Sequence, residues 1–425
     1  MILLNKRKAC VGISIVLAIA LLAGGCSSGN DHAQSNEGTN SADRAEQEST
    51  GSPSSTENDR SSEPMPHNTN KRLVIKEQIE AGQLTAGEWN DLAQWDDWET
   101  MLNNQQAGEY QQAWSYYDFR KMTVSVTGGG RPIADAAVQA VDEQGKVLWR
   151  SRTNAGGLAY LYPNLFHTES GQELQGEDYL IEVTAGQQQK RFENVELNSE
   201  RVLAVEFQDA VPMPDQVDLM FVVDTTGSMK DELDYLEAEL KDVVTQIGSR
   251  AGGQLDIRVS PNFYRDRHDD YIVKPYPFTK DIDKAVRQIA QQEAQGGGDF
   301  PEAVDEALHN AIHDHEWSKE ARARLLFLVL DAPPHKEDQV RERMQKLTSD
   351  AAAEGIRIIP VVSSGIDEET EYLMRFEAIA TGGSYLFLTD HSGIGNDHLE
   401  PDVGEYEVKP LNDLLVDVIE RYIQP

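Results

Sequence analysis

Asp224, Thr226 and Ser228 stand two apart in the stretch LMFVVDTTGSMKDELDYL, residues 219–236. There an apolar run gives way to a carboxylate and hydroxyls, and then to an amphipathic pattern. A carboxylate and two hydroxyls that alternate along a turn can point to one side. All three are hard oxygen ligands of the kind that bind Mg2+ or Ca2+. Gly227 permits the tight bend. Two further segments offer matching chemistry. GGGDFPE, residues 296–302, sets Asp299 and Glu302 behind three glycines at a helix start, and LVLDAPPH, residues 328–335, sets Asp331 at the end of an apolar run. Each segment alone has a plain structural explanation, since Asp and Ser cap helices and glycines end them. The three together, in this order, point to a cation site.

The elements that must position these residues follow Pro214. VDLMFVVD reads as a continuous apolar strand, and Met229, Leu233, Leu236, Leu240 and Val243 then recur at helical spacing. Further strands are expected at LDIRVSPNFY, YIVKPYPF, RLLFLVLD, IRIIPVV and SYLFLTD, with helices at 280–295, 302–316, after Asp331, and at 410–423. Apolar strands alternating with helices predict a doubly wound α/β domain, a parallel sheet covered on both faces. In such a sheet ligands sit beyond the carboxyl ends of the strands, where Asp224 and Asp331 emerge.

These residues resemble the von Willebrand factor type A domain over 214–425. DTTGS matches the first loop of its metal-ion-dependent adhesion site, D-x-[ST]-x-S, with GGGDFPEAVDEAL in the second loop and Asp331 in the third. The resemblance implies a Rossmann-like fold and one divalent cation, most simply Mg2+, with Ca2+ or Mn2+ as substitutes. It implies that Thr226 and Ser228 bind the ion directly while Asp224 and Asp331 act through water. An acidic side chain of a protein partner would then complete the octahedron. Many members carry Thr in the second loop where this chain has Gly298-Asp299-Phe300. The chain looks like the subgroup with GGGD and YRD motifs (here Tyr264-Arg265-Asp266), which makes Asp299 the substitute ligand.

The rest of the chain divides by composition. MILLNKRKACVGISIVLAIALLAGGC has a basic start, an apolar run and small residues before Cys26, the layout of a secretory signal over 1–25. It resembles a bacterial lipobox, which implies lipidation (palmitate) at Cys26 and anchoring on the extracytoplasmic face of the cell membrane. Residues 26–70 lack Val, Ile, Leu and aromatics, and read as a disordered tether. Residues 71–117 read as a Trp-rich helical segment, with Thr85 as cap and Trp89, Leu92, Trp95 and Trp98 as a stripe that packs on the next domain. Over 118–210 the period changes to two, with Gly-rich turns, which predicts a small β-sandwich. Through RPIADAAVQAVDEQG and TNAGGLAYL it resembles the carboxypeptidase-regulatory-like, transthyretin-like domains. Residues 214–425 are expected to stand alone as a folding unit.

The formal charge is −35 over 425 residues, which excludes a nucleic-acid partner because a phosphate backbone would be repelled. The pair His309 and His313 has zinc-ligand spacing but lies at the edge of an apolar helix stripe and reads as solvated. The acidic loop TDHSGIGNDHLEPD follows the last strand on the same pole as the metal loops. The leading expectation is a non-enzymatic adhesion lipoprotein. The alternatives are a metal-dependent extracytoplasmic hydrolase, with His335 as its one candidate base, and a solute-binding lipoprotein.

Overall fold

The computed structural model describes residues 79–166, 178–250 and 255–425. The expected signal segment, the expected tether and Cys26 lie outside the described residues. Val74–Pro425 form one compact unit.

The chain enters as strand β1 (Thr85–Trp89), then helices α1 (Trp95–Leu102) and α2 (Gln105–Trp114). Strands β2 (Met122–Gly128), β3 (Arg131–Pro132), β4 (Ala137–Val141), β5 (Val147–Arg152), β6 (Leu158–Leu161), β7 (Asp178–Ala185), β8 (Gln188–Glu196) and β9 (Val202–Phe207) follow. They form two four-stranded sheets. One has the order β3-β2-β6 with β9 parallel to β2, and the other is the antiparallel β5-β4-β7-β8. The inward residues of both, such as Val124, Val126, Val138 and Ile181, share one core. This is the expected all-β region.

The second half alternates strand and helix: β10 (Gln216–Asp224), α3 (Leu233–Arg250), β11 (Asp256–Tyr264), β12 (Val273–Lys274), α4 (Ile282–Ile289), α5 (Val304–His313), β13 (Ala323–Leu330) and α6 (Asp338–Glu354). It continues with β14 (Ile356–Val362), α7 (Glu368–Thr381), β15 (Tyr385–Leu388), β16 (Lys409–Pro410) and α8 (Leu411–Ile423). One eight-stranded sheet runs β12-β11-β10-β13-β14-β15-β1-β16. Its centre, β11 to β15, is parallel. Every residue of β13, β14 and β15 is buried, because α3, α4 and α8 cover one face while α5, α6 and α7 cover the other.

Three expectations need correction. Thr85 does not cap a helix. It begins β1, which pairs antiparallel with β15, so the Trp-rich segment supplies a strand to the sheet of the second half. Gly87 makes this fit, since a Cβ there would stand 2.5 Å from the Phe387 ring. Leu84 and Ala86 enter the same core as α3 and α8, so residues 214–425 do not hold that core by themselves. Of the Trp stripe, Trp98 on α1 meets Phe119 and Phe376 edge-on at 5.1 and 6.0 Å. Second, α7 was not anticipated: α1 and α2 cover its outer side, so all twelve residues from Thr370 to Thr381 are buried and no amphipathic stripe marks it. Third, YIVKPYPF contributes only the two residues of β12, because Pro275 and Pro277 cannot donate to a ladder.

Asp135 joins the two halves. It holds a left-handed backbone, φ 61°, and accepts hydrogen bonds from Arg324 Nη1 and Nη2 at 2.8 and 3.0 Å, Arg152 Nη1 at 3.1 Å and the Ala321 amide at 3.0 Å.

Candidate metal centre

Asp224 ends β10, between β11 and β13, and is fully buried. Its Oδ1 accepts the Thr226 amide at 2.8 Å and the Thr226 hydroxyl at 2.7 Å. Ser228 Oγ lies 3.1 Å from Thr226 Oγ1, on the short 3-10 turn Gly227–Asp231 that leads into α3. Asp331, just past β13, is buried and is hydrogen-bonded with Ser228. The structure therefore brings Asp224, Thr226, Ser228 and Asp331 together.

The Gly-rich loop is fastened to this turn by backbone bonds. The Gly227 amide donates to the Gly296 carbonyl at 3.1 Å, and the Gln295 amide to the Thr225 carbonyl at 3.0 Å. Gly296 has φ +82°, and a Cβ there would fall 2.2 Å from the Asp269 carboxylate. A left-handed backbone this close to Asp269 favours glycine.

Asp299 lies on the same Gly-rich loop, at its outer side. Its side chain is exposed, and the inward carboxylate of this segment is Glu302. The Glu302 amide donates to the Pro333 carbonyl at 2.9 Å, which turns its buried side chain toward Thr226. A Cβ on Gly297 would meet Glu302 Oε1 at 3.0 Å and Thr226 Cβ at 3.3 Å. Spacing alone could not choose between two acids three residues apart, because the choice is made by pairing with the Asp331 loop.

Burial is the main force on these carboxyls, and their neighbours add to it. Asp224 is pushed up to about 7 by desolvation and then by Asp331. Desolvation, with Glu232 and Asp231 behind it, pushes Asp331 up to about 6 against the pull of Ser228. Glu302 is pushed up to about 9 by desolvation, then by Asp224, Asp266 and Asp331. Asp224 Oδ2, Asp331 Oδ1 and Glu302 Oε2 are buried without a well-formed hydrogen bond among the described residues, the Tyr264 hydroxyl standing beside Asp224. Buried acceptors of this kind are costly unless something charged meets them. A hard divalent cation fits the donor chemistry of two carboxylates and two hydroxyls. Among the described residues no three or more of His, Cys, Asp and Glu stand close enough together to hold a metal by themselves.

The flanks are also built. His335 Nε2 lies 2.7 Å from Asp266 Oδ1, and Arg265 of the YRD motif stacks over Tyr271 and donates to the Glu293 carbonyl. The loop after β15 reaches the same pole: Asn396 donates to Asp231 at 2.6 Å, and His398 sits between Glu232 at 3.2 Å and Asp390 at 2.8 Å. His309 and His313 are elsewhere, their rings 5.1 Å apart, with His313 against Asp350 at 3.1 Å.

This fold and these loops define a class. Residues 218–392 match the family model for the von Willebrand factor A domain, a module generally used for adhesion or protein binding, and here it follows an N-terminal β-sheet region. A stretch of 188 residues is 27% identical to a putative ariadne-like RING finger protein of Acanthamoeba polyphaga mimivirus, covering 40% of this chain and 18% of that protein. The chain thus spans less than a fifth of that relative.

Proposed function

We propose that the protein is a non-enzymatic, cation-dependent binding protein of the cell envelope. In this reading Thr226 and Ser228 supply hydroxyl ligands, and Asp224 and Asp331 supply carboxylates, directly or through water, to one Mg2+, for which Ca2+ or Mn2+ can substitute. An open coordination position then takes an oxygen from a protein partner. The observation that carries the reading is the pair of unpartnered buried oxygens, Asp224 Oδ2 and Asp331 Oδ1, beside two hydroxyls at a strand-end pole. A lipid on Cys26 would hold the protein to the membrane, as the apolar run and Ala23-Gly24-Gly25 before that cysteine suggest. Titration calorimetry with Mg2+ tests the site: one ion per chain is expected, and none for Asp224→Ala. Equal binding by both chains refutes it.

One observation favours a metal-assisted hydrolase as second reading. His335 is oriented by Asp266, as a general base would be. Turnover of phosphate or carboxylic esters that needs both Mg2+ and His335 would establish it over the binding reading.

A further inference from the structure

The outward faces of β4, β5 and β7 look across a cleft of about 1180 Å3 at the ends of α5 and α6. These are the ends remote from the Asp224 pole, since α5 begins beside Glu302 and α6 follows Asp331. Side chains two apart on a strand share a face, which brings Gln139, Arg150, Arg152, Glu182 and Thr184 to one wall. The lining holds five Lys and Arg against four Asp and Glu, although acids outnumber bases 73 to 38 in the whole chain. Glu182 is answered by Arg191 at 2.8 Å, and Asp350 by His313 at 3.1 Å and by Lys346. Arg258 is answered by Asp218 at 2.7 Å. Arg150 and Lys319 are exposed, and neither makes an ion pair among the described residues. Behind this wall the surplus deepens. Arg152, Arg324 and Arg357 crowd round Gly355, where a Cβ would meet Arg152 Cβ at 2.9 Å and Arg324 Nη1 at 3.3 Å. Asp135 binds Arg152 and Arg324, but buried Arg357 donates only to the Gly355 and Arg152 carbonyls, at 2.9 and 3.3 Å. Burial, reinforced by Arg324, pulls the Arg357 guanidinium below its ordinary value. Arg152, which lines the cleft, has its Nε buried without a hydrogen bond among the described residues.

We infer that this cleft binds an acidic oligosaccharide, with its carboxylate or phosphate groups seated at Arg150, Arg152 and Lys319. The inference is independent of the cation reading, because Asp224, Thr226, Ser228 and Asp331 do not line the cleft. Guanidinium groups pair with carboxylate and phosphate oxygens through two parallel hydrogen bonds. A ligand anion would thus supply the counter-charge that three guanidiniums around one carboxylate lack. Gln139, Thr184 and Gln189 add amides and a hydroxyl to the lining, groups that both donate to and accept from sugar hydroxyls. The volume exceeds the roughly 300–1,000 Å3 of a small-molecule pocket, which suits an oligomer over a single sugar. An acidic peptide fits less well, since peptides gain affinity from a few buried apolar or aromatic anchors. Among the lining residues the aliphatics are Ala137, Val138, Ile312 and Ala353, and Val138 and Ile312 are themselves buried. A neutral glycan would leave the guanidinium surplus unmatched.

The test titrates the full chain in mild detergent, with EDTA present so that the cation site takes no part. The probes are tetragalacturonic acid, phosphorylated maltotetraose, neutral maltotetraose and octaglutamate. One acidic tetrasaccharide is expected to bind roughly tenfold more tightly than maltotetraose or octaglutamate, and more weakly as salt rises. Which of the two binds distinguishes carboxylate from phosphate. Arg150→Ala combined with Lys319→Ala should weaken that binding about tenfold, while the melting temperature without ligand stays at the wild-type value because both residues are exposed. Asp224→Ala should bind the acidic sugar as the wild type does, so failure of the cation reading leaves this one standing. Binding of neither acidic tetrasaccharide overturns the inference, as does an unaltered affinity in the double variant. Equal binding of maltotetraose overturns the charge assignment, and equal or tighter binding of octaglutamate overturns the sugar assignment in favour of an acidic peptide.

Discussion

The carboxylates of Asp91 and Asp135 are buried about as deeply as those of Asp224 and Asp331, yet their surroundings are opposite. Asp91 receives the Arg375 guanidinium through Nε at 3.2 Å and Nη2 at 2.7 Å, and the Trp89 indole at 3.0 Å. Asp135 receives Arg324 and Arg152 at the seam between sandwich and sheet. Both carboxylates are matched by a cation that the chain itself supplies. At the pole of the sheet no guanidinium approaches Asp224 or Asp331 among the described contacts, and one oxygen of each lacks a well-formed hydrogen bond. Buried acids answered from within the chain are structural rivets. Those left unanswered mark the place where something from outside is expected.

Breaking a rivet should have the largest effect. Arg375→Met leaves Asp91 and Glu371 buried without their counter-charge, and a loss of about 3–5 kcal/mol is expected in urea unfolding. A loss below about 1 kcal/mol would mean that water reaches Asp91, and would blur the contrast.

The pole should respond in the reverse sense. In wild type, Mg2+ at a hundredfold excess over Kd should add about 2.7 kcal/mol of stability. Asp224→Asn should lose that gain in calorimetry, yet melt higher than wild type in EDTA, because it removes a buried, unpaired charge from beside Asp331. A mutant less stable than wild type in EDTA would place Asp224 among the rivets.

Glu302 and Asp299 separate inward from outward acid within one loop. Glu302→Gln should alter the Mg2+ affinity by about tenfold, near 1.4 kcal/mol, whereas Asp299→Ala should leave it within error. The opposite ranking in titration calorimetry would restore the expectation that Asp299 is the ligand.

Glu377 offers the smallest and subtlest case, a buried carboxyl answered by hydroxyls alone. Tyr116 Oη and Thr348 Oγ1 donate to it at 2.5 and 2.7 Å, and desolvation pushes it up to about 7. A carboxyl raised in the folded state contributes stability that is complete below its unfolded value near 4.5 and is lost as pH rises through about 7. Glu377→Gln should therefore flatten the fall in unfolding free energy between those limits, measured against wild type in EDTA. Parallel curves would show that Glu377 is ionised throughout.

Much of this protein could be read without coordinates where the signal is local. The apolar runs 219–223 and 325–330 became central strands, since a strand covered on both faces favours near-continuous apolar residues. Asp224, Thr226 and Ser228 lie within five residues of one turn, so their convergence needs only that turn, and Asp331 reaches them because β10 and β13 are adjacent and parallel. The period of two over the sandwich likewise foretold its strands. What tertiary structure alone decided depends on partners distant in the chain. Thr85–Trp89 became a strand because β15 offered an open edge some 300 residues away. The helix Glu368–Thr381 lost its amphipathic signature because a second layer covers it. Glu302 turned inward, and Asp299 outward, because the loop pairs with Pro333 and Pro334. Local sequence sets which conformations a segment can adopt cheaply, but hydrogen bonds and burial contributed by distant segments choose among them.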